Sequence, residues 1–360
     1  MKKLIIIGIL FQTFNIFGQE RTFQTKANDL IQKSVNENQT IGIVAGFCIN
    51  GEIKWQEGAG YSDLKNKIAF DTSTITRIAS ITKPMTAVAI MQLYEQDKLS
   101  LDETIQTYLP TFPKKKEGNI TIRQLLQHSS GIAGYKNNKE QENETNYANL
   151  EDAVTIFKNR DLIASPGEAF NYTTYGYVVL GLIIEKVSGM SYESYLKVNI
   201  WDKAQMTNTR IEYFDTVTSN KSMIYHKDSK DRIKEAKQTN LSDRISGGGV
   251  YSTVTDMLRF GDAILNNTLL KETTFKMMTE NPLLKTQGNG YGLGWYLYGE
   301  NPNYGNVYGH NGTQTGASTF LMLLPKQKTT IVVLSNTSGA IQIVTDITIK
   351  LFDIAAEAKE

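Results

Sequence analysis

Ser80 and Lys83 are spaced so that, on a helix, a hydroxyl and an amine rise from one face about a turn apart. A neutral amine there can take the hydroxyl proton and leave an oxygen nucleophile to attack a carbonyl. The run 77–91 suits that geometry. Its polar and β-branched start gives way at Ser80 to small and apolar residues, and Pro84 falls where an early helical turn tolerates proline. Ser80 is therefore expected at or next to a helix N-terminus, where free backbone N–H groups steady negative charge. Two other Ser-x-x-Lys matches each lack a condition: Ser62–Lys65 falls in a turn, and Ser194 of Ser194–Lys197 is mid-helix.

Two further stretches can complete such a pair. His310-Asn-Gly-Thr-Gln-Thr-Gly leads into an apolar strand, and its glycines let the backbone approach another group closely. A strand edge there can donate an N–H to an oxyanion. The run 166–177 places Tyr172 and Thr174 on a turn just before an apolar helix. Taken singly, Tyr172 reads as a buried aromatic and His310 as a surface histidine. His128, His226 and His310 are the only histidines, and none has a metal-ligand spacing such as His-x-x-x-His, so no metal or other cofactor is expected. No Gly-x-Ser-x-Gly elbow occurs, which disfavours an α/β-hydrolase.

The elements that must position these residues follow from periodicity. An amphipathic helix is predicted at 25–35, and strands at 41–49 and 52–58 flank a hairpin turn at Asn50-Gly51. The glycine-rich Gly58-Ala-Gly-Tyr reads as a turn. Helices are expected from Ser80 to about 97 and at 121–128, 150–159, 174–187 and 191–198. Residues 136–146 read as a polar surface loop, 214–243 as irregular, and the Gly247-Gly-Gly run as a close backbone approach or a tight turn. Ser252 or Thr253 caps a helix through 264. Strands return at 291–298, 306–308, 318–324 and 329–334, before a final helix at about 341–356. Strands at both ends and helices between them predict an α+β fold. One antiparallel sheet forms from the N- and C-terminal strands, flanked by the terminal helices, with a mainly helical insertion. The sheet part is placed at about 24–78 and 288–358, and the helical part at about 79–287.

With 360 residues, 40% hydrophobic and 21% charged, the chain has ample length for a core. Its net charge of +1 gives no basic excess for nucleic acid. Lys2-Lys3, then a mostly apolar run at 4–17, then Gly18-Gln19-Glu20, reads as a secretory signal peptide at 1–18. Gln12, Thr13 and Asn15 interrupt the run, so no stable membrane span is expected after cleavage. The mature domain is then 19–360, in a periplasmic or extracellular location. Cys48, the only cysteine, excludes an intramolecular disulfide and reads as a buried strand residue.

Together these stretches resemble the serine β-lactamase and penicillin-binding-protein superfamily, in its class C-like branch, over about 26–351. Ser80-Ile-Thr-Lys83 resembles the nucleophile motif and Tyr172-Thr-Thr174 the Tyr-x-Asn motif. His310-Asn-Gly312 stands where many members have Lys-Thr-Gly. The runs 125–132, 166–170 and 247–257 match further signatures of that family. The resemblance implies acyl transfer through Ser80, assisted by Lys83 and by Tyr172 as tyrosinate or proton relay, with backbone N–H groups of Ser80 and Thr313 holding the oxyanion. A buried Lys83 would instead favour the neutral amine as base. The resemblance also implies substrate contacts from Thr174, His310, Gly312 and Thr313. Two departures alter the expected grip: Thr174 lacks an amide's two-ended hydrogen bonding, and His310 replaces a permanent cation with a group that responds to pH. The expected function is a secreted serine hydrolase of ester or (D-)peptide substrates, including cell-wall peptide. The alternatives are a β-lactamase or D,D-carboxypeptidase, and a non-catalytic binding or assembly protein of the same fold.

Overall fold

The computed structural model describes residues 22–142, 144–280 and 290–358; the leader at 1–18 and residues 288 and 289 lie outside them. Among the described residues a seven-stranded antiparallel sheet is built from both ends of the chain. Its strands are β1 (Gly42–Ile49), β2 (Glu52–Asp63), β3 (Ile68–Ala69), β4 (Tyr296–Asn301), β5 (Gly305–Gln314), β6 (Ala317–Leu324) and β7 (Thr329–Ser335), in the order β3-β2-β1-β7-β6-β5-β4. The β1–β2 hairpin turns at Asn50 and Gly51, both with positive φ, as Asn-Gly favours.

Alternation along the central strands sorts the core into two layers. Ile43, Ala45, Phe47 and Ile49 of β1 face helices α1 (Phe23–Asn36) and α5 (Ile341–Glu357) with Phe320, Met322, Ile331 and Val333. Val44, Cys48, Leu321 and Val332 face the helical layer, which includes α2 (Thr82–Glu95), α3 (Thr174–Ser188) and α4 (Val254–Leu265). Strands covered on both faces must read as continuous apolar runs, and β1 is buried along its whole length. α2 is also enclosed, with every residue from Thr82 to Leu93 buried. This explains a helix that is apolar all round.

Several expectations need correction. The Gly58-Ala-Gly-Tyr run does not turn; β2 continues through it to Asp63. The glycines are there for contact, since a Cβ would lie 2.1 Å from Phe70 O at Gly58 and 2.1 Å from Ile41 O at Gly60. The strand expected from Tyr291 begins only at Tyr296, because Tyr291 is drawn inward to bond His310. The helix at 150–159 is a single turn, Leu150–Val154, and residues 225–227 and 233–235 of the irregular stretch pair as a small hairpin. The loop 136–146 contains a short helical turn, Asn138–Gln141. Its Glu140 points back to Arg160 and to the Tyr175 hydroxyl (2.7 Å).

Candidate active site

Ser80 lies in a 3₁₀ turn, Ala79–Ile81, that leads straight into α2. Lys83 is the second residue of α2 and Pro84 the third, where no backbone donor is needed. Ala79 carries a φ of 49°, a left-handed conformation that costs a side-chain-bearing residue on the order of 1 kcal/mol. The surroundings enforce it. Thr319 on β6 donates from its hydroxyl to Ile78 O (3.0 Å), and Thr82 from its own to Ala79 O (2.8 Å). Gly312 on β5 completes the clamp. A Cβ there would lie 2.4 Å from Thr319 Oγ1 and 2.7 Å from Ile78 O, so only glycine lets this strand run against the serine turn.

Just upstream, the fully buried Arg77 forks onto Glu212 at 2.8 and 2.9 Å and donates to Thr315 O (2.7 Å) beyond the end of β5. Burial works to raise the Glu212 carboxyl, but Arg77 and Lys221 overcome it and hold the group below its ordinary value. This ion pair ties the serine segment to β5. Sequence reasoning did not find it, since Glu212 sits far along the chain in an unpatterned stretch.

Lys83 is fully buried, with its Nζ 3.1 Å from Ser80 Oγ, 3.4 Å from Thr174 Oγ1 and 2.7 Å from Gly247 O. These contacts include no carboxylate. Burial, helped by the nearby Arg244 charge, pushes its pKa down to about 7. The carbonyl can only accept, so a neutral Lys83 donates to Gly247 O and keeps a lone pair for the Ser80 proton. The Gly247 carbonyl is fixed in turn. Ser246 donates from its hydroxyl to Tyr177 O on α3 (2.9 Å), and its own carbonyl accepts from Thr86 on α2 (2.6 Å). A Cβ on Gly247 would lie 2.5 Å from Thr174 Cγ2, which is the close approach that the triple glycine predicts.

Tyr172 and Thr174 arrive from the start of α3. Thr173 caps that helix by accepting from Tyr175 N, and Thr174 is its first residue. Lys83 Nζ lies 4.9 Å from the centre of the Tyr172 ring. Burial raises the Tyr172 phenol well above its ordinary value, against a hydrogen-bonding interaction with Ser80 that lowers it. The charge balance is thus the reverse of a tyrosinate beside a lysine cation: a neutral phenol beside an amine that is about half neutral at pH 7. Tyr172 is set by His128, whose ring centre lies 4.2 Å from its own. His128 Nδ1 accepts from Thr173 N (3.2 Å), which places its proton on Nε2. Burial and the Lys83 charge hold His128 neutral. The sequence marked His128 only as part of the run 125–132.

His310 requires a correction. The expected pH-responsive contact with a substrate anion fails on burial, because the ring is fully enclosed and does not line the cavity at Ser80. Its Nδ1 lies 2.6 Å from Asn311 O, an acceptor, so Nδ1 carries the proton and Nε2 accepts from the Tyr291 hydroxyl (3.0 Å). Burial and the Lys83 charge bring its pKa to about 3. The neighbouring Asn311, half-buried, lines the cavity instead.

The cavity at Ser80 has a volume of about 480 Å³. Of the residues singled out in the sequence, Tyr172, Thr174 and Thr313 line it with Ser80; Gly312 stands behind, against the serine turn. Tyr135, Asn137, Asn138, Gln141, Tyr296 and Asn311, which the sequence did not single out, form much of the remaining wall. Among the described residues, no side chain lining it carries a charge.

A sheet edge packed against a helical layer, with a buried Ser-x-x-Lys pair and a tyrosine at their seam, defines the β-lactamase and penicillin-binding-protein class. The chain belongs to the Beta-lactamase family, whose profile matches residues 27–356. It is 29% identical over 393 residues to the human serine beta-lactamase-like protein LACTB, mitochondrial, covering 84% of this chain and 72% of that one. It is 30% identical over 305 residues to penicillin-binding protein 4* of Bacillus subtilis, covering 79% of this chain and 66% of that one. Among solved structures, the octameric penicillin-binding protein homologue from Pyrococcus abyssi superposes with a TM-score of 0.79 at 26% identity, over 92% of this chain and 77% of that one.

Proposed function

We propose that the protein is a serine hydrolase that transfers the acyl group of an uncharged ester or peptide to Ser80 and then to water. One observation carries this reading: Ser80, paired with the buried Lys83 amine, opens into a cavity whose wall bears no charged side chain among the described residues. Neutral Lys83 takes the Ser80 proton as Oγ bonds to the substrate carbonyl carbon. The oxyanion is held by the N–H groups of Ser80 and Thr313. Collapse breaks the bond to the leaving group, which receives the proton from Lys83 with Tyr172 as the relay. Water then attacks the acyl-Ser80 ester and Lys83 accepts its proton; Lys83 returns that proton to Ser80 Oγ as the acyl C–O bond breaks, which frees the carboxylic acid and restores the neutral amine. Without a cation in the wall, β-lactams and D-Ala-D-Ala peptides, which present a carboxylate, lose a main anchor. Thr174 and Asn311 supply neutral hydrogen bonds instead.

The reading extends to the whole chain as a signal peptide at 1–18 and one domain at 19–360, with a sheet part and a helical part, exported to the periplasm or beyond. No helix among the described residues is long and apolar enough to cross a membrane. The test is a panel of p-nitrophenyl esters, D-Ala-D-Ala peptides and nitrocefin, with covalent labelling by a fluorophosphonate. Wild type hydrolyses the neutral esters fastest, and Ser80→Ala loses both turnover and labelling. Labelling that survives Ser80→Ala refutes the mechanism.

A further inference from the structure

A second concave space, of about 630 Å³, lies under the open end of α5 against β4, β5 and β6. Its floor is apolar: Val307, Phe320, Met322, Ile349 and Phe352, with the Tyr298 ring at one side. Tyr298 and Ile349 are 46% and 54% exposed, so this surface is left open by the fold rather than filled by it. Three observations join it to the reaction centre. Asn311 lines both spaces. Tyr296, in the wall of the Ser80 cavity, and Tyr298, in the wall of the groove, are two residues apart on β4 and therefore share a face. The rings form an unbroken row, with centres 6.4 Å apart from Tyr172 to Tyr296, 6.0 Å from Tyr296 to Tyr298 and 5.8 Å from Tyr298 to Phe320.

We infer that the groove is a second subsite of the same cleft and takes a long alkyl chain of the substrate. This rests on the acyl-Ser80 reading above and names the substrate class within it: esters of long-chain acids or of long-chain alcohols. The row of aromatic faces gives a methylene chain continuous apolar contact from the carbonyl at Ser80 into the groove. Glu300 and Asp353 also line the groove, the latter accepting from the Tyr304 hydroxyl (2.8 Å).

Two ester series locate the chain: p-nitrophenyl esters of C2 to C12 acids for the acyl side, and acetates of C2 to C12 alcohols for the leaving-group side. In one of the two, kcat/KM rises about threefold per methylene over the middle of the range. Ile349→Glu, at an exposed helix position, and Thr345→Trp, which fills the groove from α5, each lower the long-to-short ratio of kcat/KM at least tenfold. Flat series on both sides, or a chain-length preference that both variants leave in place, overturns the subsite while ester turnover through Ser80 stands. Labelling of Ser80 by neither an ethyl nor a decyl fluorophosphonate removes the hydrolase reading, and the subsite with it.

Discussion

Replacing Lys83 with methionine separates the chemistry of the amine from the energetic cost of burying it. In the unfolded chain the amine keeps an ordinary value, 10.5, whereas in the fold burial lowers it to about 7. Between these two values the unfolded state holds a proton that the native state has released. Native stability therefore rises with pH across that window, by about 1.4 kcal/mol per pH unit, and is lowest at and below pH 7. The whole interval amounts to about 5 kcal/mol of unfavourable charge burial at acidic pH. Lys83→Met removes that cost, but it orphans the Gly247 carbonyl, a loss of about 1–3 kcal/mol. The variant should thus be more stable than wild type by about 2–4 kcal/mol at pH 6. Its advantage should shrink and then reverse on going to pH 10. Urea unfolding of both proteins at pH 6, 8 and 10 measures this, with stability from the linear extrapolation at each pH. Acylation should show the same group from the other side, with wild-type kcat/KM for a neutral ester rising with pH through about 7 and Lys83→Met inactive throughout. A stability difference that is independent of pH, or a variant less stable than wild type at pH 6, would refute the assignment of a neutral, costly lysine at this site.

Gly312→Ala places a methyl 2.4 Å from Thr319 Oγ1 and 2.7 Å from Ile78 O, so it should cost about 1–3 kcal/mol of stability and at least tenfold in the rate of Ser80 labelling; full labelling with unchanged stability would show that β5 does not press on the serine turn. His310→Lys should destabilise the protein by more than about 2 kcal/mol at pH 7, because it buries a second amine beside Lys83 and removes the ring nitrogen that accepts from the Tyr291 hydroxyl. It should bring no gain in KM for carboxylate-bearing substrates, which steady-state kinetics with charged and neutral ester pairs will check. Glu212→Gln should cost about 3–5 kcal/mol by leaving Arg77 buried without its carboxylate, read as a fall in thermal midpoint, with the Arg77→Met, Glu212→Leu double variant recovering most of it.

The sheet was legible because its signals are local: alternation, an Asn-Gly turn, and apolar runs that only burial on both faces explains. The Ser80–Lys83 pair was legible for the same reason, since three residues of helix fix their geometry whatever surrounds them. The rest of the site is made of distant contacts. His310 was read as a surface group because its enclosure depends on Tyr291, drawn in from a segment whose periodicity looked like strand. The polar run 136–146 was read as a surface loop. Its Asn137, Asn138 and Gln141 are exposed, as that reading expects, and they also line the cavity at Ser80, with Glu140 anchored to Arg160 and Tyr175 behind them. Glycines misled once and informed once. At Gly58 and Gly60 they resembled a turn within a strand that runs on, whereas at Gly247 the reading of close approach matches the contact with Thr174. The charge state of the lysine could not be read from sequence, since it depends on how completely the neighbouring layers exclude water.

The pairing of β1 with β7, which sets Ile43 opposite Ser335, also constrains how the molecule is made. β1 has only β2 to pair with until almost the entire polypeptide has been synthesised, and the strand edge that presses on the serine turn is formed by the same late segment. A chain emerging N-terminus first therefore has the Ser80 turn without the strand that packs against it until the end of synthesis. Sheet closure of such long range is slow, because the ends must find each other before any contact rewards them. During that interval the apolar strands β1, β6 and β7 are exposed to other chains. Folding yield, more than native stability, is then the property most exposed to changes in the last strands.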